Sequence, residues 1–137
     1  MNEVTAAIEA FVDTWAESPD GNKQGFLRLH GVLAGMGDAV VLSFHPRPGV
    51  TSSLRAAVPG HGRSLFVMVD VIEDQPRWLS VCFFADMITD PEERGAFVPG
   101  GLQGEDAVCF DLDACTEEAL AYVMLRLEEA CRAAGGR

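Results

Sequence analysis

The stretch LFVMVDVIEDQPRWLSVCFF, residues 65–84, decides the fold. Its two halves, Leu65 to Ile72 and Arg77 to Phe84, are rich in β-branched and aromatic residues, and only Glu73-Asp74-Gln75-Pro76 separates them. Four residues of turn chemistry cannot carry a parallel crossover, so the halves are read as adjacent antiparallel strands. Both strands are apolar on both alternating faces. The first is interrupted only by Asp70, and the second sets Leu79, Val81 and Phe83 against Trp78, Cys82 and Phe84. An antiparallel sheet ordinarily wets one face. A hairpin apolar on both calls for two covers, because large exposed apolar patches are rare.

Upstream, Ala39 to His45 and Val50 to Val58 repeat the strand pattern, with Pro46-Arg47-Pro48-Gly49 and Pro59-Gly60-His61-Gly62-Arg63 as connectors too short for anything but hairpins. Downstream, Ala107 to Leu112 reads as a fifth strand. Helical spacing governs the two ends of the chain. Val4, Ile8, Phe11, Val12 and Trp15 predict a helix over 2–18, stopped by Ser18-Pro19-Asp20-Gly21-Asn22. Phe26, Leu29, Val32, Leu33 and Met36 predict a second over 23–36 with Gly37 as its stop, and Gly31 and Gly35 inside it imply a close neighbour. Leu120, Val123, Met124, Leu127 and Cys131 predict a terminal amphipathic helix over 116–133, ended by Gly135-Gly136. Between Asp86 and Asp106, Asp90-Pro91-Glu92-Glu93 is read as a one-turn helix start before a glycine-rich stretch, and a segment this long is expected to cover something.

The expected architecture is a single α+β domain over 1–137: two N-terminal helices, an antiparallel meander of about five strands, and a C-terminal helix packed on the sheet. Helices take one face of the sheet. The 86–106 segment or a partner subunit takes the other.

Acidic residues outnumber basic ones 21 to 10, for a formal net charge of −11 over 137 residues. Such a field repels phosphate backbones and anionic lipid, which argues against nucleic acid and membrane surfaces as partners. The first ten residues hold Glu3 and Glu9 and no basic n-region, and no apolar run reaches the roughly 20 residues of a membrane span. A cytoplasmic chain is therefore expected, with Cys82, Cys109, Cys115 and Cys131 reduced and serving as small core hydrophobes. The four lack CxxC spacing, so neither a metal site nor a cofactor is expected from them.

Closing the three hairpins tightly, His45 with Val50, Val58 with Ser64 and Ile72 with Arg77, places Ser43, Ser52, Asp70 and Leu79 in one row and His45 and Arg77 on the same face. This is the candidate binding site: Arg77 for an anionic group, Asp70, Ser43 and Ser52 as hydrogen-bonding groups, His45 as a titratable one. The plainer reading is an ion pair of Asp70 with Arg77 and solvated serines. The same register buries Arg55 beside Val40 and Val67, and a one-residue slip at the Gly60 turn changes every partner. Ser43, His45 and Asp70 have no nucleophile elbow or oxyanion loop around them, so the reading leans away from an enzyme, with a His45–Asp70 acid–base pair as the catalytic alternative. Glu9, Asp13 and Glu17, four apart on one stripe, supply the metal-binding alternative.

Helices ahead of a run of hairpins, then Val108-Cys109-Phe110-Asp111-Leu112 leading to Leu120-Ala121-Tyr122-Val123-Met124, resemble the small bacterial YdhG-like proteins, relatives in fold of the frataxin-type iron chaperones. The resemblance lies in element order and is strongest in the last third. It implies an α+β fold and a binding or iron-chaperone role rather than an enzyme, and the acidic first helix is loosely like a frataxin acidic ridge. The leading expectation is a non-catalytic binding domain that holds a protein partner, a second copy of itself or a small anionic ligand on the second sheet face.

Overall fold

The computed structural model describes residues 2–135; Gly136, read as part of the final stop, lies outside the described residues. Over the described residues the fold is α+β: three α-helices over a six-stranded antiparallel sheet. Helices α1 (Glu3–Asp13) and α2 (Asn22–Ala34) precede strands β1 (Val41–His45), β2 (Thr51–Ala57), β3 (Val67–Ile72) and β4 (Trp78–Phe84). Strands β5 (Ala96–Leu102) and β6 (Glu105–Leu112) follow, then α3 (Glu117–Ala133). The sheet order is β1-β2-β3-β4-β6-β5, so β6 inserts beside β4 and leaves β5 at the edge.

Phe44, Leu54, Val69, Val81 and Phe110 align in a single cross-strand row on one face. The helices meet the sheet on this side. Phe11 of α1 packs on Phe44 at 5.4 Å and on Phe26 of α2 at 5.9 Å, while Tyr122 of α3 packs on Phe110 at 6.0 Å. Burying these rings and the Val/Leu row beneath them is the main stabilising term of the fold, at roughly 2–3 kcal/mol for each large side chain removed from water.

Helix ends follow local chemistry. Asn2 caps α1 by accepting from the Thr5 N–H at 2.7 Å, and Thr116 caps α3 by accepting from the Ala119 N–H at 3.1 Å. Helix α1 stops at Asp13, short of the expected Ser18, because Trp15 turns inward and becomes buried against Phe11 and Phe26. Helix α2 ends at Ala34 rather than at Met36. Its close neighbour is at Gly25, where a Cβ would come within 2.4 Å of the Cys115 Sγ; at Gly31 the space is open, and at Gly35 only the helix's own carbonyls are near. The buried Asn22 side chain fixes this end of α2 by donating to the carbonyls of Arg77 at 3.0 Å and Asp113 at 2.8 Å, tying it to the start of β4 and the end of β6.

The segment 86–106 contains a strand that its glycines concealed. Val98-Pro99-Gly100-Gly101 lies within β5, an edge position where proline and glycine cost little. The expected helix start at Asp90 is instead a turn: the Asp90 carboxylate accepts from the backbone N–H groups of Arg94 and Gly95, and Glu93 sits at φ 53°. This turn is tied to α3. Thr89 bonds Glu129, the Tyr122 hydroxyl donates to Asp90, and Arg94 reaches Glu118 at 2.7 Å. Residues 89–94 thus extend the helical layer.

Candidate binding face

Strand alternation sends every second side chain to the opposite side of the sheet, and among the described residues no helix lies over that side. Two rows cross its middle. One runs Ser43, Arg55, Met68, Cys82, Cys109 and Ala96; the next runs His45, Ser53, Asp70, Ser80 and Asp111. Ile72 and Trp78 pair beside them, half-buried. At the end of the face near Phe84 the β2–β3 loop provides a cover: the Arg63 guanidinium lies 4.0 Å over the Phe84 ring and bonds Asp86 and Glu105. Phe84 is buried there, while Arg55, Met68, Asp70, Ser80 and Cys109 keep partial access to solvent.

The polar groups of this face form a short network. Arg55 Nε donates to the Ser53 hydroxyl at 3.1 Å, and Ser53 stands directly opposite Asp70 on the neighbouring strand. His45 Nε2 and the Ser43 hydroxyl lie 2.9 Å apart. Burial pushes the Asp70 carboxyl above the usual carboxylate range, against the opposing pull of Ser53 and Arg55. Its Oδ1 is buried with no hydrogen-bond partner among the described residues. Burial, then the nearby Arg55 cation, holds His45 below the ordinary imidazole value. Cys82 lies directly opposite Cys109, and its thiol also approaches the Ser80 hydroxyl at 3.6 Å.

Of the five residues expected to share a site, Ser43, His45 and Asp70 are together on this face. Ser52 and Arg77 are not with them. Ser52 is on the helical side, where its hydroxyl donates to Glu73 at 2.8 Å. Arg77 reaches the same carboxylate at 3.5 Å, donates to the Thr14 hydroxyl at 3.2 Å and lies 5.0 Å from the Phe11 ring centre and 5.5 Å from that of Trp15. It forms a wall between a cavity of about 450 Å³ beside Phe44 and Pro48 and another of about 250 Å³ beside Trp15 and Pro76. With Glu73 neutralising it, this guanidinium braces α1 against the β3–β4 turn. The residue facing Asp70's network is Arg55, which the expected register had buried.

The acidic stripe is also dispersed: Glu17 falls beyond the end of α1 and accepts from Gln24 at 2.6 Å. Among the described residues, no three His, Cys, Asp or Glu side chains are grouped so as to hold a metal ion. No helix among them is long and apolar enough to cross a membrane. No family model, curated protein or solved structure matches this chain.

Proposed function

We propose that this chain is a non-catalytic binding domain whose helix-free sheet face docks a second copy of itself. The observation that carries the reading is the distribution of charge. The helical side bears Glu3, Glu9 and Asp13 on α1 and Glu117, Glu118, Glu128 and Glu129 on α3. The middle of the open face, over the rows from β1 to β6, holds only Asp70 and Asp111 as acids, with Arg55 on the strand next to that of Asp70. Two molecules of net charge −11 repel almost everywhere. They repel least where the signs are mixed.

The composition of the face supports the same reading. Interface centres are depleted in charge and enriched in Trp, Met and Arg, and this face presents Trp78, Met68, Ile72 and Arg55 with partial exposure. A two-fold arrangement requires a surface complementary to itself. Arg55 and Asp111, on strands at opposite sides of the sheet centre, supply the opposite charges that such an axis would exchange. The small-anion reading has less support, since Arg77 already holds Glu73.

Sedimentation velocity over a wide range of protein concentrations tests the proposal. The expected result is an average mass that climbs from one chain toward two, with an association that survives added salt because apolar contact dominates it. A single-chain mass at every concentration would refute self-docking.

A further inference from the structure

Cys82 and Cys109 stand directly opposite each other on β4 and β6, near the centre of the sheet. Residues opposed in this way have Cα atoms roughly 4.5–5.5 Å apart, inside the window of about 4.4–6.8 Å that a disulfide spans. The two side chains leave the sheet on the same face, close enough for each thiol to shift the ionisation of the other. Cys82 is buried and Cys109 is half-exposed on the open face. Cys115, under Gly25, and Cys131, buried on α3, are each remote from this pair in the fold.

We propose that Cys82 and Cys109 are an oxidisable pair that a hydroperoxide closes to an intrachain disulfide. Cys109 is the attacking sulfur. Its side is open, and the hydrogen bond from Cys82 lowers the Cys109 thiol below its ordinary value even though burial and the carboxylates of Asp111 and Asp70 act in the opposite sense. The Cys109 thiolate attacks one peroxide oxygen, the O–O bond breaks, and hydroxide or alkoxide leaves, to be protonated by solvent. The product at Cys109 is a sulfenic acid. Cys82 then releases its proton, its sulfur bonds to the Cys109 sulfur, and the S–O bond breaks to give water. Two thiols lose two electrons and two protons, and the peroxide takes up both. The hydrogen bond to Cys109, and then burial, keep Cys82 a neutral thiol while Cys109 is a thiolate; oxidation of Cys109 removes the first of these, which suits a resolving cysteine.

The pair is contained within one chain, so the inference does not rest on what docks against the face. Fully reduced, dilute protein is treated with hydrogen peroxide, quenched, alkylated and weighed by intact mass spectrometry. Alkylatable thiols should fall from four to two. Cleavage after Arg94 and before Asp111 puts Cys82, Cys109 and Cys115 on different peptides, and the linked product should join the first two. In Cys82→Ser, dimedone should trap a sulfenic acid at Cys109, and Cys115→Ser should oxidise as the natural chain does. Four free thiols after treatment, or a bridge that uses Cys115 or Cys131, would overturn the proposal. The bridge is mapped on the unaltered chain, so the test stands even where a variant fails to fold.

Discussion

The Arg77 guanidinium meets the Glu73 carboxylate at 3.5 Å on the helical side of the sheet, with Asp70 on the other side. Glu73 also accepts from the Ser52 hydroxyl and from the Gly49 N–H, so one carboxylate joins the β1–β2 turn, β2 and the start of β4. Both partners of the pair are mostly shielded from water, with side-chain exposures of 18% and 10%. Glu73→Ala is expected to cost about 2–4 kcal/mol, since it leaves a half-buried cation and two hydrogen-bond donors without their acceptor. Glu73→Gln should recover part of that loss. Urea unfolding at neutral pH measures both.

Asp70 should make the protein's stability depend on pH in a recognisable direction. Its carboxyl is raised in the folded state. Between the unfolded and folded values the folded chain therefore binds more protons, and stability falls as pH rises through that window. Asp70→Asn removes the effect while keeping the shape. The variant is expected to be more stable than the natural chain at neutral pH, and the two should converge below the ordinary carboxylate value. Thermal unfolding across that range is the check, and an Asn variant weaker at neutral pH would contradict the burial argument.

Gly25 should resist alanine despite lying within a helix. In an open helix the change gains about 1 kcal/mol. Here the added methyl group would meet Cys115, whose Sγ and Cβ stand 2.4 and 2.7 Å from the ideal Cβ position. Overpacking of this kind costs about 1–3 kcal/mol. Gly25→Ala should thus be destabilising, and Cys115→Ala, which removes the Sγ and keeps the Cβ, should rescue it in part, a coupling that a double-mutant cycle in urea resolves. By the same comparison Gly31→Ala, which meets open space, should be neutral or stabilising.

Why the α+β architecture was legible while two of the five candidate site residues were misplaced comes down to hairpin register. Periodicity and short connectors fix which residues form strands and that neighbours run antiparallel. They do not fix how many residues each turn consumes. His45 pairs with Ser53, three residues beyond the expected Val50, because Arg47 and Thr51 close a wider turn through paired backbone hydrogen bonds. Ala56 pairs with Val67 and Ile72 with Trp78, each one residue beyond expectation. Every shift is odd, and an odd shift exchanges the two faces of a strand. Two shifts cancel at β3, which is why Asp70 stays with Ser43 and His45. Ser52 carries one and Arg77 carries three, so both lie on the helical side.

The hidden strand β5 and the Gly25 contact have different causes. An edge strand needs little β-propensity and tolerates Pro99 and two glycines, so composition reads it as loop. The partner of Gly25 is distant in sequence, and only tertiary packing brings Cys115 to it. The doubly apolar hairpin, by contrast, was readable from residues 65–84 alone. Leu79, Val81 and Phe83 are fully buried beneath the helices, and Met68, Ile72 and Trp78 stand half-buried on the face without them.

Sedimentation equilibrium of two charge-insertion variants tests the role of that face most directly. Met68→Glu places a carboxylate at the centre of the open face, and Leu125→Glu places one on the outer surface of α3, where Leu125 is 54% exposed. The account predicts that Met68→Glu remains a single chain at concentrations where the natural protein pairs, while Leu125→Glu pairs as the natural protein does. Pairing that survives Met68→Glu and is lost in Leu125→Glu would put the interface on the helices and contradict it.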